Sequence, residues 1–190
     1  NRLDGQGVGL TSAMSDGVAV CLVERGEGPG EVLSCLLASD GARHREYWCE
    51  FPSSRHLAST GIARGQRITQ EAFRAGKHFP VTDPAAMHET AVSELPAIFD
   101  RAFERSRLSE VDATLVTHPD PGAESAVVGL LGARAGRSIT SDLLYSGGTS
   151  LALVLARAKE RGDLETGQSV ALLAAGSGAG WGAAIMRVPE

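Results

Sequence analysis

Near its end the chain reads QSVALLAAGSGAGWGAAIMRV over residues 168–188. An apolar run (170–175) meets glycines at 176, 178, 180 and 182, and a second apolar run (183–188) follows at once. Short apolar runs bounded by turn residues read as buried strands, and the glycines allow a tight reversal between them. The GxG spacing is shared with dinucleotide-binding loops, but that fingerprint needs a helix after the glycines. Here a short apolar segment follows instead. Two readings of the turn stay open. It is a plain hairpin, or it is a turn whose bare N–H groups border a reaction site, because glycine lets a ligand come close to the main chain.

The totals narrow the class of protein. With 190 residues, 43% of them hydrophobic, there is enough apolar material for one large domain or two small ones. A net charge of −5 argues against a nucleic-acid footprint. No apolar run approaches the length of a membrane helix, and no secretory signal pattern opens the sequence. Cys21, Cys35 and Cys49 form no CxxC pair, and no His-x-x-x-His pair occurs, so neither a metal nor a cofactor is expected. A reducing cytoplasm is the natural setting for three scattered cysteines. The first residue is Asn1, without a methionine, and the expectation is that the chain is a piece of something longer.

Residues 18–24 (VAVCLVE) and 31–39 (EVLSCLLAS) predict two strands joined by the turn RGEGPG into a hairpin. Both are apolar on both faces, and a two-stranded hairpin needs neighbours. Residues 42–77 are polar and poorly periodic, and His44, His56 and His78 are expected at the surface. Asp83-Pro84 is a helix start, with Asp as N-cap and Pro in the first turn. Met87, Ala91, Leu95, Ile98 and Ala102 then share one helical face, with a kink expected at Pro96. ATLVTH (113–118) is a short buried strand; a turn over 119–122 leads to a helix ending near Leu131. A second turn over 145–149 precedes a helix capped by Thr149 or Ser150 and stopped at Gly162. Alternating strands and helices from Asp83 onward point to an α/β layer structure.

His118 is the one histidine of five placed at the carboxyl end of an apolar strand, where ligands of open α/β sheets gather. A structural role is the plain alternative. An imidazole there can donate a hydrogen bond or take a proton near neutral pH.

Four stretches, in order, resemble the C-terminal part of β-ketoacyl-acyl carrier protein synthase III, of the thiolase superfamily. MSDGVAVCLVE (14–24) is similar to the family's Phe-Gly-Asp-Gly-Ala strand entry. LVTHPDP (115–121) stands at the place of His-Gln-Ala-Asn, and YSGGTSLA (145–152) at the place of Gly-Asn-Thr-Ser. GSGAGWGAA (176–184) resembles the closing Gly-Phe-Gly-Ala-Gly turn and Trp-Gly. The resemblance implies an α/β fold, layered α/β/α/β/α, in two halves that each hold a mixed five-stranded sheet. Residues 1–80 would be the end of the N-terminal half plus a connecting segment, and residues 81–190 the C-terminal half. It also implies that the nucleophilic cysteine lies on an N-terminal half not contained here, since none of Cys21, Cys35 and Cys49 fits its place.

By the same resemblance His118 is the catalytic histidine, and the N–H groups of Gly178 and Ala179 serve a thioester oxyanion. Gly148 (or Gly147) stands where the family has an asparagine, and glycine has no side-chain donor. Loss of one such donor costs about 2.7–4 kcal/mol of transition-state stabilisation. Decarboxylative condensation is therefore expected to be lost or weak, and acyl transfer from a thioester, with His118 as base, to remain. Ser146 or Tyr145 could supply the missing substrate contact, although Ser146 also reads as an ordinary turn residue. Pro121 replaces the motif's asparagine, and Ala123 stands where many members carry a carrier-docking arginine. The resemblance thus leaves a coenzyme A or an acyl carrier protein thioester as the expected acyl donor; Arg134 and Arg137 are the candidates for facing a carrier, with a merely solubilising role as the plain alternative. The expected setting is fatty-acid or secondary metabolism, with a dimer of halves or a higher homo-oligomer. A non-catalytic scaffold subunit and a decarboxylating synthase are the alternatives.

Overall fold

A computed structural model describes residues 15–49, 69–77, 80–176 and 178–190. Residues 1–14, His56 and His78 lie outside them, as does the side chain of Cys49. The ordered elements begin with β1 (Val32–Ser39), β2 (Tyr47–Cys49), a one-turn helix α1 (Gln70–Arg74) and β3 (Pro80–Thr82). The long helix α2 (Pro84–Ser106), β4 (Ala113–Thr117), α3 (Pro121–Leu131) and β5 (Arg137–Ser138) follow. The chain closes with α4 (Ser150–Glu160), β6 (Ser169–Gly176) and β7 (Gly180–Arg187).

Five strands form one mixed sheet in the order β1-β7-β6-β4-β5. β5, β4 and β6 run parallel, whereas β6, β7 and β1 pair antiparallel. β2 and β3 make a separate two-stranded ladder. The glycine cluster does reverse the chain: Gly176 opposes Gly180, and Leu173 opposes Ala183 across the β6–β7 pair.

Strand alternation divides the core in two. Ala171, Leu173 and Ala175 of β6, with Ala183 and Ile185 of β7, face α2 and α3 through Ala91, Leu95, Ile98, Phe99, Ala102 and Val127. Val170 of β6, with Ala113 and Leu115 of β4, faces α4 through Val154 and Ala158. The result is helix, sheet, helix. The Asp83-Pro84 start holds: Asp83 Oδ1 accepts from the Ala86 N–H at 3.1 Å. All five residues read as the inner face of α2 are buried, and the helix runs unbroken through Pro96. Thr149 stands at the N-cap of α4 without a side-chain cap hydrogen bond, and Gly162 after it has φ +74°.

The hairpin expected from residues 18–39 does not form. Its second arm is β1, whose partner is β7, so that Leu36 sits opposite Ala183. Its first arm, residues 18–24, pairs with no strand among the described residues and leaves Val18, Val20, Leu22 and Val23 exposed. β-branched content describes a segment suited to a sheet; it cannot supply the edge the segment pairs with.

One face of the sheet is only partly covered. α4 packs over β4 and β6, while Cys35 and Leu37 of β1 point out on that side without a helix above them; Leu37 is 83% exposed. On the other face β1 is tied to α2 by the buried Ser34 hydroxyl, which donates to the Ala102 carbonyl at 2.6 Å. Among the described residues no helix is long and apolar enough to cross a membrane.

Candidate active site

β4 delivers the site. All five of its residues are buried, because it lies between β5 and β6 with helices on both faces. His118 follows its last residue at the carboxyl edge of the sheet and is itself 4% exposed. The next three residues turn the chain into α3. Asp120 is the N-cap, its Oδ1 accepting from the Gly122 N–H at 2.8 Å, and Pro121 takes the first turn.

Three contacts fix the histidine and its surroundings. The Asp120 N–H donates to His118 Nδ1 at 3.0 Å. The His118 N–H donates to Glu124 Oε1 at 2.7 Å. Asp120 Oδ2 lies 2.7 Å from His88 Nδ1, which donates because an ionised carboxylate only accepts. Burial pushes the His118 pKa down, against the opposing effects of its contact with Asp120 and of that residue's charge. The ring is therefore neutral at pH 7, and with Nδ1 used as an acceptor its proton sits on Nε2. This bears on the expected role as a base. A basic Nε2 would require Nδ1–H, and that hydrogen would point at the Asp120 N–H, donor against donor. The hydrogen bonding makes His118 a donor through Nε2.

His118 lines a small cavity of about 130 Å³ together with Glu124, Ser141, Tyr145, Ser146 and Ser150. Burial raises the pKa of Glu124 against the opposing bond from the His118 N–H, and burial likewise raises that of Tyr145. A larger cleft of about 650 Å³ adjoins it, sharing Thr117, Pro119 and Tyr145 as walls. Its lining is mostly apolar: Cys35, Leu37, Leu172, Ala174, Trp181 and Ala184, with Gly147, Gly148, Gly176 and Gly180 at its sides.

The predicted site residues thus divide. Ser146 shares the small cavity with His118, Gly148 lines the larger cleft, and Gly178 and Ala179 line neither. Ser146 is held inside its own turn: its N–H donates to Ser150 Oγ at 2.8 Å, and Thr149 Oγ1 lies 3.0 Å from its hydroxyl. Gly178 adopts φ +119°, and the carbonyl of buried Ala179 accepts from the Asp40 N–H at 2.9 Å. The first and third motifs meet. The Ser15 N–H donates to the Tyr145 carbonyl at 2.8 Å, and a Cβ at Gly17 would fall 2.7 Å from Leu153 and 2.8 Å from Thr149. Arg134 and Arg137 both have partners within the chain: Arg134 pairs with Asp100 at 2.6 Å and lies over the Phe103 ring, and Arg137 donates to the Asp163 carbonyl.

Sequence reading missed Asp120, Glu124 and His88. The Asp-Pro pair at 120–121 repeats the cap signal at 83–84 and was readable as such. His88 reaches the site through the packing of α2 against α3, and Glu124 through that of α3 against β4. Among the described residues, no group of three or more His, Cys, Asp or Glu could hold a metal ion.

Comparison with known proteins gives one consistent likeness. No family model matches the chain. β-Ketoacyl-[acyl-carrier-protein] synthase III 2 of Streptomyces avermitilis is 27% identical over 182 residues, which is 92% of this chain and 53% of that protein. β-Ketoacyl-[acyl-carrier-protein] synthase III of Synechococcus sp. WH7803 is 29% identical over 178 residues, 90% and 50% respectively. Among solved structures, 3-oxoacyl-(acyl carrier protein) synthase III of Pseudomonas aeruginosa PAO1 superposes with a TM-score of 0.70 at 19% identity, covering 88% of this chain and 49% of that one. OleA of Xanthomonas campestris gives a TM-score of 0.56 at 20% identity, covering 83% and 38%. The fold is thus the α/β thiolase-like fold of these proteins, and the chain resembles the synthase III enzymes. It spans about half the length of the curated relatives it matches.

Proposed function

We propose that this chain is the C-terminal part of a synthase-III-like acyltransferase, in which an acyl group passes from a thioester to a cysteine on an N-terminal counterpart and then to an acceptor. The observation that carries the reading is the setting of His118. It is a buried neutral imidazole at the carboxyl edge of the sheet, with Nδ1 held by the Asp120 N–H and Nε2–H left to donate. A fixed donor in a dry site stabilises the oxyanion that forms when a thioester carbonyl is attacked, and it does so without reorganising. The N–H groups of Gly178 and Ala179, which line neither cavity, would serve a thioester oxygen only where the counterpart brings it to the β6–β7 turn.

A donor at His118 leaves the acceptor's proton to another group. Glu124 lines the same small cavity, and its raised pKa makes it a better proton acceptor than an ordinary carboxylate. The apolar cleft beside it, floored by Leu172 and Ala174 and open over Cys35 and Leu37, is the face on which the counterpart and the acyl chain would lie. Gly148 brings no side-chain donor, and the Ser146 hydroxyl is engaged within its turn, so decarboxylative condensation is weak or absent in this reading. Coenzyme A and carrier-protein thioesters are both candidate donors; Arg134 and Arg137, already partnered, do not favour the carrier.

The test is to purify the protein with whatever polypeptide accompanies it, determine its native mass, and offer labelled acyl-coenzyme A and acyl carrier protein. The expected result is a copurifying half of the same fold, or one continuous longer chain, carrying the acyl group on a cysteine. His118→Ala should lower acyl transfer by about 10²–10³-fold, the usual loss for one oxyanion donor. Unchanged turnover in that variant would point to a scaffold and overturn the reading, and release of carbon dioxide from malonyl thioester at the rate of acyl transfer would make the chain a condensing enzyme.

A further inference from the structure

His88, one turn into α2, reaches across to the cap of α3 and places Nδ1 2.7 Å from Asp120 Oδ2. The same Asp120 uses its other oxygen on the Gly122 N–H and its own N–H on His118 Nδ1. The two histidines are therefore linked through one residue and use their Nδ1 atoms in opposite ways. His88 presents Nδ1–H to a carboxylate, and His118 presents a bare Nδ1 to an amide.

We propose that His88 is a positioning residue for His118: by holding Asp120 Oδ2 it fixes the Asp120 backbone at the one orientation in which its N–H meets His118 Nδ1. The inference rests on the reading of His118 as an oxyanion donor. The physical argument concerns degrees of freedom. A carboxylate capped through one oxygen can still swing about its side-chain torsions, and the peptide between Pro119 and Asp120, which carries the donating N–H, can tilt with it. A second contact from a different element removes that freedom, because α2 is anchored independently by Met87, Ala91 and Leu95 in the core. The pair is well placed to be tuned rather than buried, since the side chains of His88 and Asp120 are 42% and 37% exposed. At that exposure its coupling is modest, so it acts on orientation and not on whether the domain folds.

The test uses the intact protein with labelled histidine nitrogens. In the wild type the His118 nitrogens should report a single tautomer, with the proton on Nε2. In His88→Leu they should report a mixture, while in His88→Gln, whose amide can still donate to Asp120, the single tautomer should return. Acyl transfer should fall about two- to fivefold in His88→Leu, the fold-change an exposed pair's coupling corresponds to, with KM unchanged and Gln restoring it. A single Nε2–H tautomer in His88→Leu would overturn the proposal whatever the activity does. A tautomer change with no effect of His118→Ala on turnover would uphold the positioning while sinking the proposed function.

Discussion

Two glycine-to-alanine changes, seven residues apart in sequence, should move stability in opposite directions. Gly129 lies in α3 with nothing within 4 Å of an added Cβ, so Gly129→Ala should stabilise by about 0.5–1 kcal/mol through helix propensity. Gly136 lies in the loop that returns α3 to β5, with φ +60° and ψ −149°. An added Cβ there would sit 2.2 Å from the Val111 carbonyl oxygen and 2.6 Å from that of Asp112, both backbone atoms that cannot swing away. Side-chain Cβ atoms do not approach within 3.0 Å, so the loop must lift by about 0.8 Å. That movement strains three bonds that clamp the loop to the start of β4. They are Val111 N–H to Arg134 O at 3.0 Å, Arg137 N–H to Asp112 O at 3.2 Å, and the buried Thr114 hydroxyl to Ala135 O at 2.6 Å. The Thr114 hydroxyl, 1% exposed, costs about 1–3 kcal/mol if left unpaired, and the backbone bonds about 1 kcal/mol each. The backbone conformation adds about 1–3 kcal/mol for a residue other than glycine. Relaxation will spare some of this, and a loss of about 3–6 kcal/mol is expected, a large share of a domain's usual total of about 5–15 kcal/mol. In urea, at a slope of about 2 kcal/mol per M, the midpoint should fall by about 1.5–3 M with the slope unchanged. A loss below about 1 kcal/mol, or a shift of the same sign in both variants, would refute the close approach of the loop to β4.

The remaining expectations concern titration and proton transfer. Burial holds the His118 pKa down, so the unfolded chain takes up this proton before the folded one does. Its contribution to stability is therefore complete above about pH 6.5 and is lost as pH falls through the lower folded value; His118→Gln should flatten melting temperature against pH in that window. The Ser169 hydroxyl and N–H hold the Asp112 pKa below the ordinary carboxylate range, at 2.6 and 2.7 Å. That stabilisation is present above about pH 4 and is lost as pH falls through the lowered value, and a Ser169→Ala variant whose acid unfolding curve overlays the wild type would refute it. Glu124→Gln keeps an acceptor for the His118 N–H but cannot take a proton. Turnover should drop by about 10²-fold or more while thermal stability stays level, and a variant that turns over normally would remove Glu124 from the mechanism.

What could be read in the sequence was what is local. The β6–β7 reversal, the Asp83-Pro84 cap, the inner face of α2 and the strand leading to His118 are all written in unbroken runs of neighbouring residues. Long-range pairing was not so written. Nothing in VLSCLLAS names β7 as its partner, and residues 18–24, as apolar as β1, find no edge among the described residues. The β2–β3 ladder joins two three-residue strands across a polar segment, too short for any period to show. At the site, the histidine was legible because its strand was. Its proton was not, because the tautomer is decided by an amide two residues away whose direction depends on a cap. The glycine cluster gave the place of a bend but not what the bend faces, and Gly178 and Ala179 lie outside both cavities.

The two sides of the small cavity differ in how freely they can change. His118 is carried by a strand buried along its whole length, and amide exchange should be slowest there. The opposite wall comes from residues 141–146, between β5 and α4, where Leu143 and Leu144 stand exposed and the local bonds span two residues. Under the proposed function, drift in acceptor preference would then accumulate on that loop, while the His118 donor stays where it is.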